Sequence, residues 1–165
     1  MPALRDELAA LHEPAFAWSL RCCRNDRTDA EDVLHQVYVM VLEGRARFAG
    51  RSSFKTWLFG VIQQVARAHA RRTWLRLTRL EAWWQERRGD DEAVDGEEDE
   101  RLGRVSHAVA RLSRRQQDIL HLVFYQGMSI QEAADVLGMP VGTARTHYER
   151  GKTRVRQWLE RSRDP

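Results

Sequence analysis

A chain of 165 residues with 27 Lys and Arg, 24 Asp and Glu and a formal net charge of +3 can hold one ordinary domain or two small helical ones. Its only cysteines, Cys22 and Cys23, are adjacent, which excludes a disulfide framework and leaves no spaced partners for a zinc site. No run approaches the roughly 18 apolar residues that span a bilayer, and Arg5, Asp6 and Glu7 interrupt any apolar run near the start, so a cytoplasmic protein without membrane insertion is expected.

With four Pro and ten Gly, and with Ala, Leu, Arg, Glu and Gln recurring at spacings of three and four, the chain reads as all-α. A first helix is predicted over 3–24, with Leu4, Leu8, Leu11, Phe16 and Leu20 facing inward and Pro14 kinking or dividing it. Asn25, Asp26 and Arg27 form a turn. Thr28 or Asp29 then caps a second helix that runs to about Glu43 and stops at Gly44, its core set being Val33, Leu34, Val37, Tyr38, Val41 and Leu42. The loop GRARFAGRSS, residues 44–53, leads into a third helix from Phe54 to about Trp74. One face of that helix carries Trp57, Leu58, Val61, Ile62 and Val65, and the other carries Lys55, Arg67, Arg71 and Arg72. Residues 75–88 extend it, with Trp83 and Trp84 against the bundle or a partner.

Charge divides the chain. Residues 1–88 hold 15 basic against 10 acidic side chains, residues 89–100 hold none against 8, and residues 101–165 hold 12 against 6. A short acidic stretch with so little apolar surface cannot offset its ordering entropy, so it reads as a solvated linker over 89–104 between two basic units, 1–88 and 105–165. Basic units favour a polyanionic partner.

After the linker, a helix over about 101–111 precedes Ser113, which caps a helix through Gln126, and Gly127 stops it. Ser129 and Glu132 form a capping box ahead of Ile130, Ala133, Ala134 and Leu137. Gly138 ends this short helix, and another runs from about Val141 to Arg161. A short helix, a Gly-containing turn and a longer Arg- and Thr-rich helix have the form of a helix-turn-helix. The long helix is expected to bury Val141, Ala144, Tyr148, Val155 and Trp158. Thr143, Arg145, Thr146, Glu149, Arg150 and Lys152 are left toward DNA or solvent, where Arg145, Thr146, Glu149 and Arg150 have the chemistry to read base edges in a major groove.

Residues 112–159, above all GMSIQEAADVLGMPVGTARTHYERGKTRVR, resemble region four of bacterial sigma factors, which reads the minus-thirty-five promoter element. The run DAEDVLHQVYVMVLE, residues 29–43, resembles the polymerase-binding helix of region two. FAGRSSFKTWLFGVIQQVARAHARR, residues 48–72, resembles the adjoining part that melts and reads the minus-ten element. Two matches in this order, with no third domain between them, resemble the extracytoplasmic-function group.

That resemblance implies a non-enzymatic subunit with core RNA polymerase and promoter DNA as partners, and an anti-sigma factor as a further one. It places Asp29, Asp32 and Gln36 against polymerase arginines, Asp29 also being suited to helix capping. Ser52, Ser53, Phe54 and Lys55 surround a flipped base, while Gln64 lies on the minus-ten surface and Arg67, Arg71 and Arg72 hold phosphates. Gln64 stands where relatives commonly have Asn, Ala68 where they have Asp, and Val37 where an acidic residue is common. Glu149 replaces an often basic or aromatic residue. These departures point to unusual promoter preferences. The acidic linker suits two roles equally, a mimic of nucleic acid near the RNA path or a flexible tether.

A second reading is a helix-turn-helix regulator whose N-terminal unit senses a signal or dimerises; it predicts promoter binding without polymerase. An enzyme is not expected, and no cofactor. His12, His35, His69, His107, His121 and His147 lack metal-ligand spacing, and no phosphate loop or nucleophile motif is present.

Overall fold

The computed structural model describes residues 2–81, 105 and 107–161. Trp83, Trp84, the acidic linker 89–104 and the start of the helix expected at 101 lie outside the described residues. Besides a helical stretch over 107–110, seven α-helices are described: α1 Pro2–Ala10, α2 His12–Cys22, α3 Arg27–Leu42, α4 Phe54–Glu81, α5 Arg114–Leu120, α6 Ile130–Leu137 and α7 Val141–Arg161. Among the described residues there is no strand, and no helix is long and apolar enough to cross a membrane. The chain divides into two compact units, the first containing α1 to α4 and the second containing α5 and α7.

In the first unit α2, α3 and α4 pack against one another and α1 lies on α2 and α3. The expected first helix is broken at Leu11 rather than at Pro14. Pro14 falls in the first turn of α2, where an amide has no partner within the helix, and the first bond of that helix comes from Ala15 N to Leu11 O at 2.9 Å. A proline there costs the helix nothing it would otherwise have. Between α2 and α3, Arg24 and Asn25 adopt positive φ of 56° and 63°. The cap of α3 is Asp26, not Thr28 or Asp29: its carboxylate accepts from Asp29 N at 2.9 Å.

Val33, Leu34, Val37 and Val41 are buried as expected, whereas Tyr38 is only half-buried and Leu42 is exposed. Tyr38 reaches back to α2, with its hydroxyl 3.1 Å from His12 Nδ1, and its burial raises the phenol pKa above the ordinary value. Two residues outside the expected core set anchor the bundle. Trp18 and Phe59 are fully buried and stack with centroids 6.1 Å apart at 6°, and Trp18 Nε1 donates to Phe59 O at 3.1 Å. One indole thereby fills the space between α2 and α4 and satisfies its own donor. Ser19 Oγ, also buried, donates to Ala30 O at 2.9 Å and ties α2 to α3.

In the second unit Ser113 caps α5 with a full capping box: Gln116 N donates to Ser113 Oγ at 3.4 Å and Ser113 N to Gln116 Oε1 at 3.3 Å. The helix expected through Gln126 widens to a π-helical turn over His121–Tyr125, closed by Gln126 N to His121 O at 3.0 Å. α5 packs on α7. The buried residues include Ala108, Leu112, Ile119, Leu120, Leu122, Met128, Ala133, Ala134 and Ala144. The contact between α5 and α7 is made close by Gly151: a Cβ at that position would stand 3.2 Å from Leu120 Cδ1.

Candidate nucleic-acid interfaces and docking helix

Asp29, Asp32 and Gln36 recur at i, i+3 and i+7 on α3 and so share one side of it. The structure joins that side to α4. Asp29 Oδ1 lies 2.9 Å from His69 Nε2, and Arg72 Nη2 donates to Gln36 Oε1 at 3.3 Å. Asp32, between them, is exposed. Two residues assigned to protein docking are thus held by two residues of the helix assigned to DNA. His69 was not among the expected site residues, although it continues the inward series Ile62, Val65 and Ala66 by one turn.

At the start of α4 the four expected residues do different work. Ser53 caps the helix, with Oγ accepting from Thr56 N at 3.1 Å and donating to Thr56 Oγ1 at 2.8 Å. Ser52 Oγ donates to Ser53 O at 3.2 Å. The Lys55 ammonium stands 5.5 Å over the Phe59 ring. Phe54 belongs to a cluster of three rings with Phe48 and Trp57, whose centroids are 5.3 to 5.5 Å apart. Phe48 is exposed and Trp57, expected in the buried stripe, is half-buried, so aromatic surface from the loop and the helix is presented together. Rings in this arrangement can stack a base that has left its duplex. The sequence marks neither Phe48 nor Trp57 as a site residue, because one lies in an irregular loop and the other fits a core periodicity.

Farther along α4, Gln64, Arg67, Arg71 and Arg72 are all exposed. With its amide oriented so that the oxygen faces Arg67, Gln63 accepts from Nε and Nη2 of that guanidinium, both at 3.1 Å.

The short helix α6 begins with the expected capping box. Glu132 N donates to Ser129 Oγ at 3.2 Å, and Glu132 Oε2 accepts from Ser129 N and Oγ, each at 2.9 Å. Gly138 closes it at φ 63°, a conformation that favours glycine, and Met139 N returns to Ala134 O at 3.1 Å. α7 follows after this turn. Ala144 is buried as expected and Tyr148, Val155 and Trp158 are half-buried, but Val141 is 37% exposed. As the first residue of the helix, Val141 has no preceding turn to cover it. Thr143, Arg145, Thr146, Glu149 and Arg150 are exposed. Thr146 Oγ1 donates to Gly142 O at 3.0 Å. Lys152 is not a free cation on this surface: it pairs with Glu149 at 3.2 Å and lies 4.9 Å over the Tyr148 ring, which in turn stacks on Phe124 at 5.8 Å.

Comparison with known proteins matches both units. The family model described as sigma-70 region 2 matches residues 8–76, and that described as sigma-70 region 4 matches residues 102–155. The ECF RNA polymerase sigma factor SigX of Bacillus subtilis (strain 168) is 30% identical over 145 residues, covering 84% of this chain and 75% of that protein. The RNA polymerase sigma factor HrpL of Pseudomonas syringae pv. syringae is 29% identical over 139 residues, covering 80% and 74%. Among solved structures, the fold is shared with the sigma factor RpoE in complex with the anti-sigma factor NepR from Bartonella quintana. That match has a TM-score of 0.74 at 21% identity and covers 100% of each chain. CnrH in complex with the cytosolic domain of CnrY matches with a TM-score of 0.61 at 24% identity, covering 94% of this chain and 86% of that one.

Proposed function

Because this chain belongs to the extracytoplasmic-function RNA polymerase sigma factors, of the sigma-70 family, we propose that it binds core RNA polymerase and directs transcription initiation at a restricted set of promoters. The observation that carries the reading is the order of the two units: a region-two bundle over 8–76, then a region-four helix-turn-helix within 102–155. A regulator with an N-terminal sensor domain is not favoured, since its first unit would have no reason to match region two.

The division of labour follows from the chemistry of each surface. Asp32, with Asp29 and Gln36 beside it, offers acidic and amide acceptors to arginines of the polymerase. The Phe48, Phe54 and Trp57 rings with Ser52 offer a stacking and hydrogen-bonding seat for one flipped minus-ten base, whose unstacking costs a few kcal/mol. Gln64, Arg67, Arg71 and Arg72 lie along the strand that is pulled away. On α7, Thr143, Arg145, Thr146, Glu149 and Arg150 face the minus-thirty-five major groove, with Arg145 and Arg150 able to pair with guanine and Glu149 with cytosine. Lys152 acts through Glu149 and Tyr148, by holding them. Residues 89–104 join the units. The polymerase supplies all bond-making chemistry, in the cytoplasm, and this subunit supplies promoter affinity and strand separation. The two solved relatives in complexes with NepR and CnrY support an anti-sigma protein as a further partner, one that covers these faces until a signal releases them.

Run-off transcription with purified core polymerase over a fragmented genomic library tests the reading. A small set of initiated fragments that vanishes when this chain is omitted supports it; an unchanged pattern refutes it.

A further inference from the structure

One stripe of α4 continues past the arginines already given a role and includes residues that have none, Ala70 and Trp74. Arg67 and Arg71, and Ala70 and Trp74, stand four apart, Arg67–Ala70 and Arg71–Trp74 three apart, and all are exposed, so they form a continuous band along the outside of the helix. Trp74 is 64% exposed and its neighbour Leu75 is 49% exposed, one turn beyond the arginines assigned to phosphates. A single exposed apolar residue is ordinary on a protein surface. A large flat ring in line with two guanidinium groups, with a small alanine keeping the ground between them clear, has a more specific chemistry. Cations at this spacing suit a chain of phosphates, and a ring beside them suits the face of a base. In intact duplex the base faces are covered by their neighbours, so the partner that uses both features is unpaired DNA.

We propose that Trp74 stacks on an unpaired base of promoter DNA whose phosphates are held by Arg67 and Arg71, extending the strand-binding surface one helical turn past Arg71. The inference rests on the function proposed above. An acidic face of the polymerase would use the same arginines but would gain little from the ring, and the two partners give different outcomes.

The test uses holoenzyme reconstituted from core polymerase and the full chain. The probe is a promoter fragment recovered by run-off transcription, prepared as intact duplex and with mismatches that leave its strands already open. On the opened fragment, Trp74→Ala is expected to bind roughly tenfold more weakly than wild type, as loss of one base stack implies. Trp74→Phe recovers most of the affinity and Trp74→Leu does not, while core affinity and the slope of binding against salt stay unchanged. Arg71→Ala, by contrast, lowers that slope by about one. Unchanged binding of the opened fragment by Trp74→Ala, equal recovery by Leu and Phe, or a defect confined to intact duplex overturns the proposal. So does a matching loss of core affinity, which would assign the ring to the polymerase. If wild-type holoenzyme binds neither fragment, the proposed function falls, and this inference with it.

Discussion

The Asp29 carboxylate and the His69 imidazole, 2.9 Å apart, join the proposed polymerase-docking side of α3 to α4, the helix proposed to face DNA. Beside them Arg72 reaches Gln36, so the two surfaces of the first unit share a pair of links. A residue in such a link changes stability as well as binding, and this separates Asp29 from its exposed neighbour Asp32.

Asp29→Ala and His69→Ala should each lower stability. Their effects should be less than additive in a double-mutant cycle, with a coupling of about 0.5–1 kcal/mol because both groups are partly exposed. Urea unfolding of the four proteins measures it. Full additivity would mean the contact has no energetic weight.

Asp32→Ala should leave the unfolding midpoint in place and weaken core polymerase binding about tenfold, the cost of roughly one charge-assisted hydrogen bond. Titration of labelled chain with core polymerase reads the affinity directly. An unaltered affinity would remove Asp32 from the docking surface.

Trp18→Phe should cost about 1–3 kcal/mol through the lost bond to the Phe59 carbonyl, and Trp18→Ala about 3–5 kcal/mol through the cavity between α2 and α4. Denaturant unfolding distinguishes the two. Equal losses would mean that the indole's bond alone, and not the packing of the ring, sets the contribution of this residue.

Much of this fold was legible because the signals are local. Ser129 and Glu132 lie three residues apart and close their box without help from the rest of the chain, and Gly44 and Gly138 end helices at positive φ. What the sequence hid depends on partners distant along the chain. Trp18 meets Phe59 across 41 positions and Asp29 meets His69 across 40, so no window of residues contains either pair. Asp26 took the cap from Thr28 and Asp29 because the strained turn at Arg24 and Asn25 starts the helix earlier than the apolar pattern does. Gly151 lies within a long helix, and the residue that requires it, Leu120, is on another helix and outside any local window. Among the candidate site residues, those on α7 follow from helical spacing and those on α3 from the resemblance. Phe48 lies in a loop, which has no periodicity to mark it, and spacing left Lys152 toward DNA or solvent without showing its pairing with Glu149.

Gly151→Leu should therefore destabilise the second unit by about 1–3 kcal/mol through overpacking against Leu120, and leave the first unit's unfolding unchanged. Thermal unfolding followed in the isolated variant checks this. A gain in stability would show that α5 and α7 separate without strain.

Arg145→Ala should weaken initiation at promoters dependent on the minus-thirty-five element by about 1–3 kcal/mol, from about fivefold to somewhat over a hundredfold, and relax preference at one base pair. Core binding should be unaffected. Transcription from templates randomised over that element resolves both effects, and an equal loss at every sequence would make Arg145 a phosphate contact.

The most direct test compares equilibrium binding of this chain to an intact promoter fragment with and without core polymerase, at one fixed salt concentration. The prediction is weak, sequence-indifferent binding by the chain alone and tight, selective binding once the polymerase is present. Selective binding of equal strength by the chain alone would contradict it.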